Sequence, residues 1–323
     1  MSYRVFLTGS GIATEAVAYL ESEGCITEVG DPRDSIEDLI RKFKAFNPDG
    51  IIVRQGKITA EVQDAAPNLK IISKHGVGTD NIDKEAATQR GIPVTYTPNA
   101  NFEAVAQHTL ALILGLARRI PSENTRIRQG IFDKKSYDGE ELTGKTLGLI
   151  GFGSIARHLA KLVAPLGMNV VVYHPSNTSE ELPTHISKVD SPEAVFPLSD
   201  ILSIHSPLTP ETQNLVNKNS IATMKPGSYI INTARGGIVN EVDLHEALQN
   251  GHLAGAALDA FQKEPPEMEN PLFELDNIIF TTHIGGMSNK SFRNMGFQSS
   301  ENLLTVLKGE RLDPSVVVNK NVL

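Results

Sequence analysis

The stretch Thr146-Leu147-Gly148-Leu149-Ile150-Gly151-Phe152-Gly153-Ser154-Ile155-Ala156 decides the fold. Thr146–Ile150 is a largely apolar run of strand length, and the two glycines after it punctuate a turn. Apolar residues then recur at helical spacing over residues 155–166, and a second strand, Asn169–Tyr173, follows. In such a strand–turn–helix unit Gly151 permits the tight reversal. Gly153 lets an anion approach the backbone N–H groups at the helix N-terminus, where Ser154 and Ile155 lie. Ala156 is small enough for the helix to pack closely on the strand. The spacing G-x-G-x-x-A, in this context, is a variant of the dinucleotide-binding fingerprint. An acidic residue at the end of the second strand would hold the adenosine ribose. Val170-Val171-Val172-Tyr173 ends instead on His174, followed by Pro175-Ser176-Asn177. No carboxylate repels a 2′-phosphate there, and no Arg or Lys stands beside His174 in the sequence to attract one. The expected cofactor is NAD, with NADP also admissible.

Short apolar runs alternate with helix-length segments on both sides of this unit. Upstream, residues 5–8, Gly50–Val53, 70–74 and Val94–Thr95 read as strands, and Thr14–Ser22, Ile36–Phe46 and 84–90 as helices. Downstream, strands are expected at 201–205, Ser228–Asn232, 254–257 and 278–281, with a last helix over about 290–307. This alternation is the pattern of parallel sheets covered by helices. At 323 residues the chain exceeds one ordinary core, so two domains are expected. Asp34 or Ser35 starts the helix at Ile36, with Asp38 placed to complete a capping box. Residues 101–120 read as one long helix whose middle, Leu110-Ala111-Leu112-Ile113-Leu114, is apolar all round and suited to burial between domains or subunits. Residues 121–143 form a polar arm without periodicity.

Composition narrows the function. A chain that is 40% apolar and 21% charged reads as soluble and globular, and a net charge of −8 argues against a partner held through nucleic-acid phosphates. A local cationic cleft can still take a small anion. The one cysteine, Cys25, cannot form an internal disulfide and fits a reducing, cytoplasmic location. The N-terminus reads as a first strand, not a signal peptide, and the most apolar stretch, 109–117, is about half the length that spans a bilayer. No His/Cys cluster has metal-ligand spacing, so no metal is expected. Asp80 and Asp83 read as turn and cap residues, and His108 as a hydrogen-bonded packing residue.

Three residues in the last third carry the chemistry: Arg235 in Thr233-Ala234-Arg235-Gly236-Gly237, Glu264 in Phe261-Gln262-Lys263-Glu264-Pro265, and His283 in Thr282-His283-Ile284-Gly285-Gly286. A guanidinium can grip a carboxylate and polarise a neighbouring carbonyl. An imidazole can protonate the oxygen, and a carboxylate behind it can keep it protonated and aimed. Separately these are ordinary turn, loop and strand-end residues. Beside a dinucleotide fingerprint they describe reduction of a 2-keto acid.

The chain resembles the D-isomer-specific 2-hydroxyacid dehydrogenases, nearly end to end. Gly76-Val77-Gly78-Thr79-Asp80-Asn81-Ile82-Asp83 is similar to the family's substrate-carboxylate loop, and Thr97-Pro98-Asn99-Ala100-Asn101 with Val105-Ala106-Gln107-His108-Thr109 to its interdomain crossing. His205-Ser206-Pro207-Leu208-Thr209-Pro210-Glu211-Thr212 and Asn232-Thr233-Ala234-Arg235 resemble its cofactor-side signatures, and Ala257-Leu258-Asp259-Ala260-Phe261 leads to the acidic residue. Val53-Arg54-Gln55-Gly56-Lys57-Ile58-Thr59 is similar to a stretch of the phosphoglycerate dehydrogenase branch, departing from it at Gln55 and Gly56. Gln107 stands where many relatives carry Glu, Ala260 where many carry Val, and His174 where Asp is common.

The resemblance implies two doubly wound parallel-sheet α/β domains with the active site in the cleft between them. Residues 1–100 plus 288–323 would form a flavodoxin-like substrate domain, and 101–287 a Rossmann dinucleotide-binding domain. Arg235, Glu264 and His283 would be catalytic, and the amides of Gly76, Val77 and Gly78 would hold the substrate carboxylate. Arg54, Lys57, Lys74 and His75 would form a cationic rim for a second anionic group. Gly151, Gly153, Ser154, Ile155, His174, His205, Pro207, Thr212, Thr233, Ala234 and Asp259 would line the cofactor, with Asp259 positioning the nicotinamide amide or supporting that wall. The partners expected are a small anionic 2-keto or 2-hydroxy acid and a second copy of the chain docked through 101–143. The chain length leaves no room for the regulatory C-terminal domain of some relatives, so control by serine through it is not expected. A glyoxylate/hydroxypyruvate reductase is the alternative enzyme, and an NADH-sensing protein like the C-terminal-binding corepressors the alternative class. Glu264 argues against formate dehydrogenases, which pair the histidine with Gln.

Overall fold

The structure, a computed structural model, describes residues 2–175 and 182–323. The chain divides into two compact units, Met1–Asn101 with Met287–Leu323, and Phe102–Gly286. The first unit opens with β1 (Tyr3–Thr8), α1 (Thr14–Ser22), β2 (Cys25–Val29), α2 (Ile36–Phe46), β3 (Gly50–Val53), α3 (Ala60–Asp64), β4 (Ile71–Lys74), α4 (Lys84–Gln89) and β5 (Val94–Thr95). Every pairing is parallel, in the order β2-β1-β3-β4-β5. That is the flavodoxin-like order. Its interior strands β3 and β4 are buried along their whole length, including the polar Ser73 and Lys74 that end β4. Ser35 caps α2 and forms a complete capping box with Asp38, and Asp83 caps α4 through the Ala86 amide.

The second unit runs through α5 (Phe102–Ala117), α6 (Ile120–Arg128), β6 (Thr146–Ile150), α7 (Ser154–Val163), β7 (Asn169–Tyr173), β8 (Ile186–Val189), β9 (Ile201–Ile204), α8 (Lys218–Ala222), β10 (Ser228–Asn232), α9 (Glu241–Gln249), β11 (Leu253–Leu258) and β12 (Ile278–Phe280). Seven parallel strands stand in the order β12-β11-β10-β9-β6-β7-β8. β6 and β9 are neighbours although β7 and β8 lie between them in sequence, so the order reverses at this pair. Ligands of open α/β sheets bind at the carboxyl ends of strands at such a reversal. The turn after β6 begins with Gly151, and the loop after β9 begins with His205. The helix expected over 101–120 is α5, and Arg119, in a left-handed conformation at φ 49°, separates it from α6. The polar arm over 121–143 thus begins in α6, a helix with no fully buried side chain.

The last long helix, α10 (Asn289–Leu307), returns to the first unit. Ser288 caps it in a capping box with Ser291. Leu303, Leu304 and Leu307 enter a core with Val5, Leu7, Leu20 and Ile52, and the buried Ser73 hydroxyl donates to the Ser299 carbonyl at 2.8 Å. Gly296 lets α10 approach α1, since a Cβ there would lie 2.9 Å from that of Ala16. Cys25 is a buried free thiol. Among the described residues no helix is long and apolar enough to cross a membrane.

Candidate active site

The turn between β6 and α7 has the shape that its glycines suggest. Gly151 sits at φ +94°, and a Cβ on it would lie 2.6 Å from the His205 carbonyl oxygen. The position therefore demands glycine twice, for its conformation and for contact with the β9 loop. Gly153 is the N-cap of α7, and no heavy atom lies within 4 Å of where its Cβ would stand. Free backbone at the head of a ten-residue helix fits the pyrophosphate of a dinucleotide. Behind the turn Ala156 is fully buried, which lets α7 lie against the sheet. His205 shares a hydrogen bond with the Ser203 hydroxyl at 2.9 Å, and burial pushes its pKa down to about 4, so the imidazole is neutral. Thr212 closes the following loop, donating to the Pro207 carbonyl at 2.7 Å and accepting from the Thr209 amide at 2.8 Å.

Arg235 follows β10 on a loop stapled by Asn232. The fully buried Asn232 amide accepts from the Ala234 N–H at 3.0 Å and donates to the Arg235 carbonyl at 2.9 Å. Thr233 is held by Thr109 of α5, hydroxyl to hydroxyl at 3.1 Å. Glu264 lies on the loop after β11. Its Oε1 accepts from the Phe261 amide at 3.0 Å, and the Phe261 ring stacks on Phe280 with centroids 5.8 Å apart. His283 follows β12 in a left-handed conformation, φ 55°. Its Nδ1 faces both carboxylate oxygens of Glu264, at 2.8 and 3.0 Å.

The electrostatics of this trio are coupled. The hydrogen bond that His283 donates to Glu264 raises the His283 pKa above its ordinary value, against the opposing pull of partial burial and of Arg235. Burial pushes the Glu264 carboxyl upward, but the hydrogen bonds from His283 and Phe261 outweigh it and leave it below its ordinary value. Both shifts favour the charged forms of the pair, and Nε2 of His283 is turned away from the carboxylate that Nδ1 faces. The Arg235 guanidinium lies close enough to lower the pKa of both partners.

In the first unit, Arg54, Lys74 and His75 come together at the ends of β3 and β4, whereas Lys57 is exposed. The Arg54 guanidinium lies 5.3 Å above the Phe292 ring and donates to the Ser10 carbonyl. The Lys74 ammonium donates to Asn81 at 3.0 Å and to the Arg54 carbonyl at 3.3 Å. His75 corrects the expected all-cationic rim: burial, then Arg54, pushes its pKa down to about 4, so it is neutral. Its buried Nε2 has no hydrogen-bond partner among the described residues. The adjoining loop starts at Gly76, φ +130°, which donates from its amide to Thr97 Oγ1 at 3.1 Å. The amides of Val77 and Gly78 donate no hydrogen bond among the described residues.

Residues 110–285, more than half of the chain, match the family described as D-isomer specific 2-hydroxyacid dehydrogenase, NAD binding domain. The chain belongs to the D-isomer-specific 2-hydroxyacid dehydrogenases. It is 40% identical over 304 residues to the D-3-phosphoglycerate dehydrogenase of Archaeoglobus fulgidus, covering 94% of this chain and 57% of that protein. It is also 40% identical to the glyoxylate reductase of Thermofilum pendens, covering 93% and 90% of the two chains. Among solved structures, the TT0316 protein of Thermus thermophilus superposes with a TM-score of 0.89 at 37% identity, covering 98% and 99%. The chain spans about half the length of several of the curated relatives it matches.

Two further observations bear on the expected cofactor residues. Positive charge does stand near His174: burial first, then Arg157 and Lys188, lowers the pKa of its imidazole. Arg157 comes from the first turns of α7, and Lys188 from β8, where it pairs with Val172. Of the residues after His174, Ser176 and Asn177 lie outside the described ones. The Asp259 carboxylate, expected to position the nicotinamide amide or to support that wall, accepts from Thr281 Oγ1 and from the Ile284 and Gly285 amides, at 2.6, 2.8 and 2.8 Å. Asn232, already part of the quoted signature before Arg235, staples that loop, and Thr281 supports the His283 loop in the same unit without having been singled out for a role.

Proposed function

We propose that the protein reduces a small 2-keto acid to the D-2-hydroxy acid, and runs the reverse oxidation, with the Gly151–Gly153 turn and α7 holding the dinucleotide. Bound NADH supplies the hydride in this reading. Arg235 grips the substrate carboxylate and polarises the carbonyl, and the amides of Val77 and Gly78 take the other side of the carboxylate. His283 donates its Nε2 proton to the developing alkoxide, and neutral His283 accepts the hydroxyl proton in oxidation. Glu264 keeps the imidazole charged and oriented. The observation that carries this reading is the Glu264–His283 pair at 2.8 Å with Arg235 beside it.

The first unit serves as the substrate domain and the second as the cofactor domain. Arg54 and Lys74, with the unpartnered Nε2 of neutral His75, favour a substrate whose tail carries a second anionic group, as in a D-3-phosphoglycerate dehydrogenase. The second reading, a glyoxylate or hydroxypyruvate reductase, is favoured by the near full-length match to the Thermofilum pendens enzyme. Exposed Ile120, Ile127, Ile131 and Phe132 on α6 and the arm after it support a homodimer through 101–143. A lone buried thiol, Cys25, fits a cytoplasmic site of action.

The test is a steady-state panel of 3-phosphohydroxypyruvate, hydroxypyruvate and glyoxylate against NADH and NADPH. Preference for the phosphorylated acid supports the anionic tail, and preference for glyoxylate supports the second reading. With NAD as the expected partner, Arg157 and Lys188 should still let NADPH compete. No turnover of any of the three refutes the proposal.

A further inference from the structure

We propose that His108 of α5 is a positioning residue for the acid His283: through Thr281 and Asp259 it braces the backbone on both sides of His283. The inference rests on His283 being the acid. Asp259 ends the β11 strand region with only 2% of its surface exposed. Its Oδ1 accepts from Thr281 Oγ1 at 2.6 Å and from the Ile284 amide at 2.8 Å, and its Oδ2 from the Gly285 amide at 2.8 Å. One carboxylate thus grips the chain two residues before His283 and at the two residues after it.

The proton inventory gives this network a direction. An ionised carboxylate only accepts, and Thr281 has a single hydroxyl proton, which goes to Asp259. His108 Nε2 lies 3.1 Å from Thr281 Oγ1 and 3.6 Å from Asp259 Oδ1. Both of these atoms can offer it only lone pairs, so Nε2 carries a proton and donates. The chain of bonds therefore runs from His108 to Thr281 to Asp259, and it starts on a helix 173 residues away in sequence from the strand end that it fixes.

The brace has something to hold. His283 sits at φ 55°, a left-handed conformation that costs a non-glycine residue roughly 1–3 kcal/mol and persists only where its surroundings over-determine it. Close approach is built in: a Cβ on Gly285 would stand 2.8 Å from Asp259 Oδ2 and 3.3 Å from His108 Cδ2. Only a glycine lets the carboxylate and the imidazole close on the loop together. Without the His108 N–H, Thr281 Oγ1 loses one of its two partners and keeps only its bond to Asp259, so the loop is held less tightly on that side. The proton-transfer geometry of His283 then suffers, while the glycine turn that holds the dinucleotide is untouched.

The experiment compares His108→Ala, His108→Gln, Thr281→Val and Thr281→Ser, with His283→Ala alongside, in the full-length protein with hydroxypyruvate and NADH. His108→Ala should lower kcat on the order of ten- to a hundredfold, as expected for an imperfectly aimed catalytic group. The Kd for NADH, read by fluorescence, should stay within about twofold, because the pyrophosphate turn does not depend on the brace. His108→Gln, whose amide N–H can donate to Thr281, should recover most of the loss, and Thr281→Ser should behave as wild type where Thr281→Val does not. Should His108→Ala fail to fold, the Thr281 pair alone decides, and equal kcat for Val and Ser overturns the proposal. Wild-type kcat in both His108→Ala and Thr281→Val also overturns it, as does an NADH Kd that rises in step with the loss of kcat. Turnover retained by His283→Ala would instead remove the acid itself, a separate failure.

Discussion

Gly236→Ala tests whether Arg235 and Glu264 work as one rigid constellation. Gly236 lies where the Arg235 loop meets the backbone that leads to Glu264. A Cβ there would stand 1.9 Å from the Phe261 carbonyl carbon, 2.0 Å from its oxygen and 2.3 Å from the Gln262 nitrogen. All three atoms are backbone, so no rotamer change relieves the clash. To reach 3.4 Å, the lower limit of ordinary contact, the two segments must part by about 1.5 Å. Phe261 resists that movement, being buried and stacked on Phe280. Overpacking of this kind costs about 1–3 kcal/mol, and a domain of this size loses roughly 2–4 °C of Tm per kcal/mol. A displacement of more than an ångström between two catalytic groups costs on the order of a hundredfold in rate. The expected outcome is a variant that folds, melts several degrees lower, and loses at least about a hundredfold in kcat/KM. Thermal melts and steady-state kinetics measure both. A Gly236→Ala enzyme within threefold of wild type in kcat/KM would refute the argument that these two loops must touch for activity.

Gly153→Ala should behave in the opposite way. The new methyl meets no protein atom within 4 Å and the backbone sits at φ −81°, so Tm should be unchanged while the Kd for NADH rises, because the methyl takes the space of the pyrophosphate. Equal NADH affinity, measured by fluorescence titration, would remove the turn from the cofactor site. Glu264→Gln should move the pH profile. In the proposed mechanism reduction requires the proton on His283, so its kcat/KM should fall as pH rises through a pKa that the Glu264 hydrogen bond holds above the ordinary value, and oxidation should show the mirror-image limb. Removing the carboxylate withdraws the largest cause of that elevation, so both limbs should shift to lower pH. Profiles taken with NADH and with NAD+ that keep their wild-type midpoints would show that Glu264 does not tune the acid.

How much of this was legible in the sequence depends on whether a feature is made by neighbours in the chain. Interior strands such as β3, β4, β6 and β10 are almost wholly buried and announce themselves by their apolar cores, such as Ile51–Val53, Leu149–Ile150 and Ile230–Ile231. The edge strands β2 and β8 bury only part of one face and carry Glu28, Ser187 and Lys188, so no run marks them. α6 buries nothing, which leaves it without the apolar stripe that would separate a helix from a polar arm. The site divides along the same line. Gly151, Gly153, Arg235, Glu264 and His283 each stand in a short local setting that betrays them. The charge near His174 does not, because Arg157 arrives from the preceding helix and Lys188 from the next strand, and only the β7–β8 pairing brings the latter near. His108 gives the same lesson for catalysis. In sequence it is a histidine in an apolar helix, and a packing role is the economical reading. Its meaning comes from Thr281, whose one proton is already given to Asp259, so that the histidine must be the donor. Proton accounting of this kind needs the acceptor's geometry, which exists only after α5, β11 and the end of β12 have met. A pattern read along the chain supplies the proposed acid and its carboxylate, and the folded unit supplies the network proposed to keep that acid aimed.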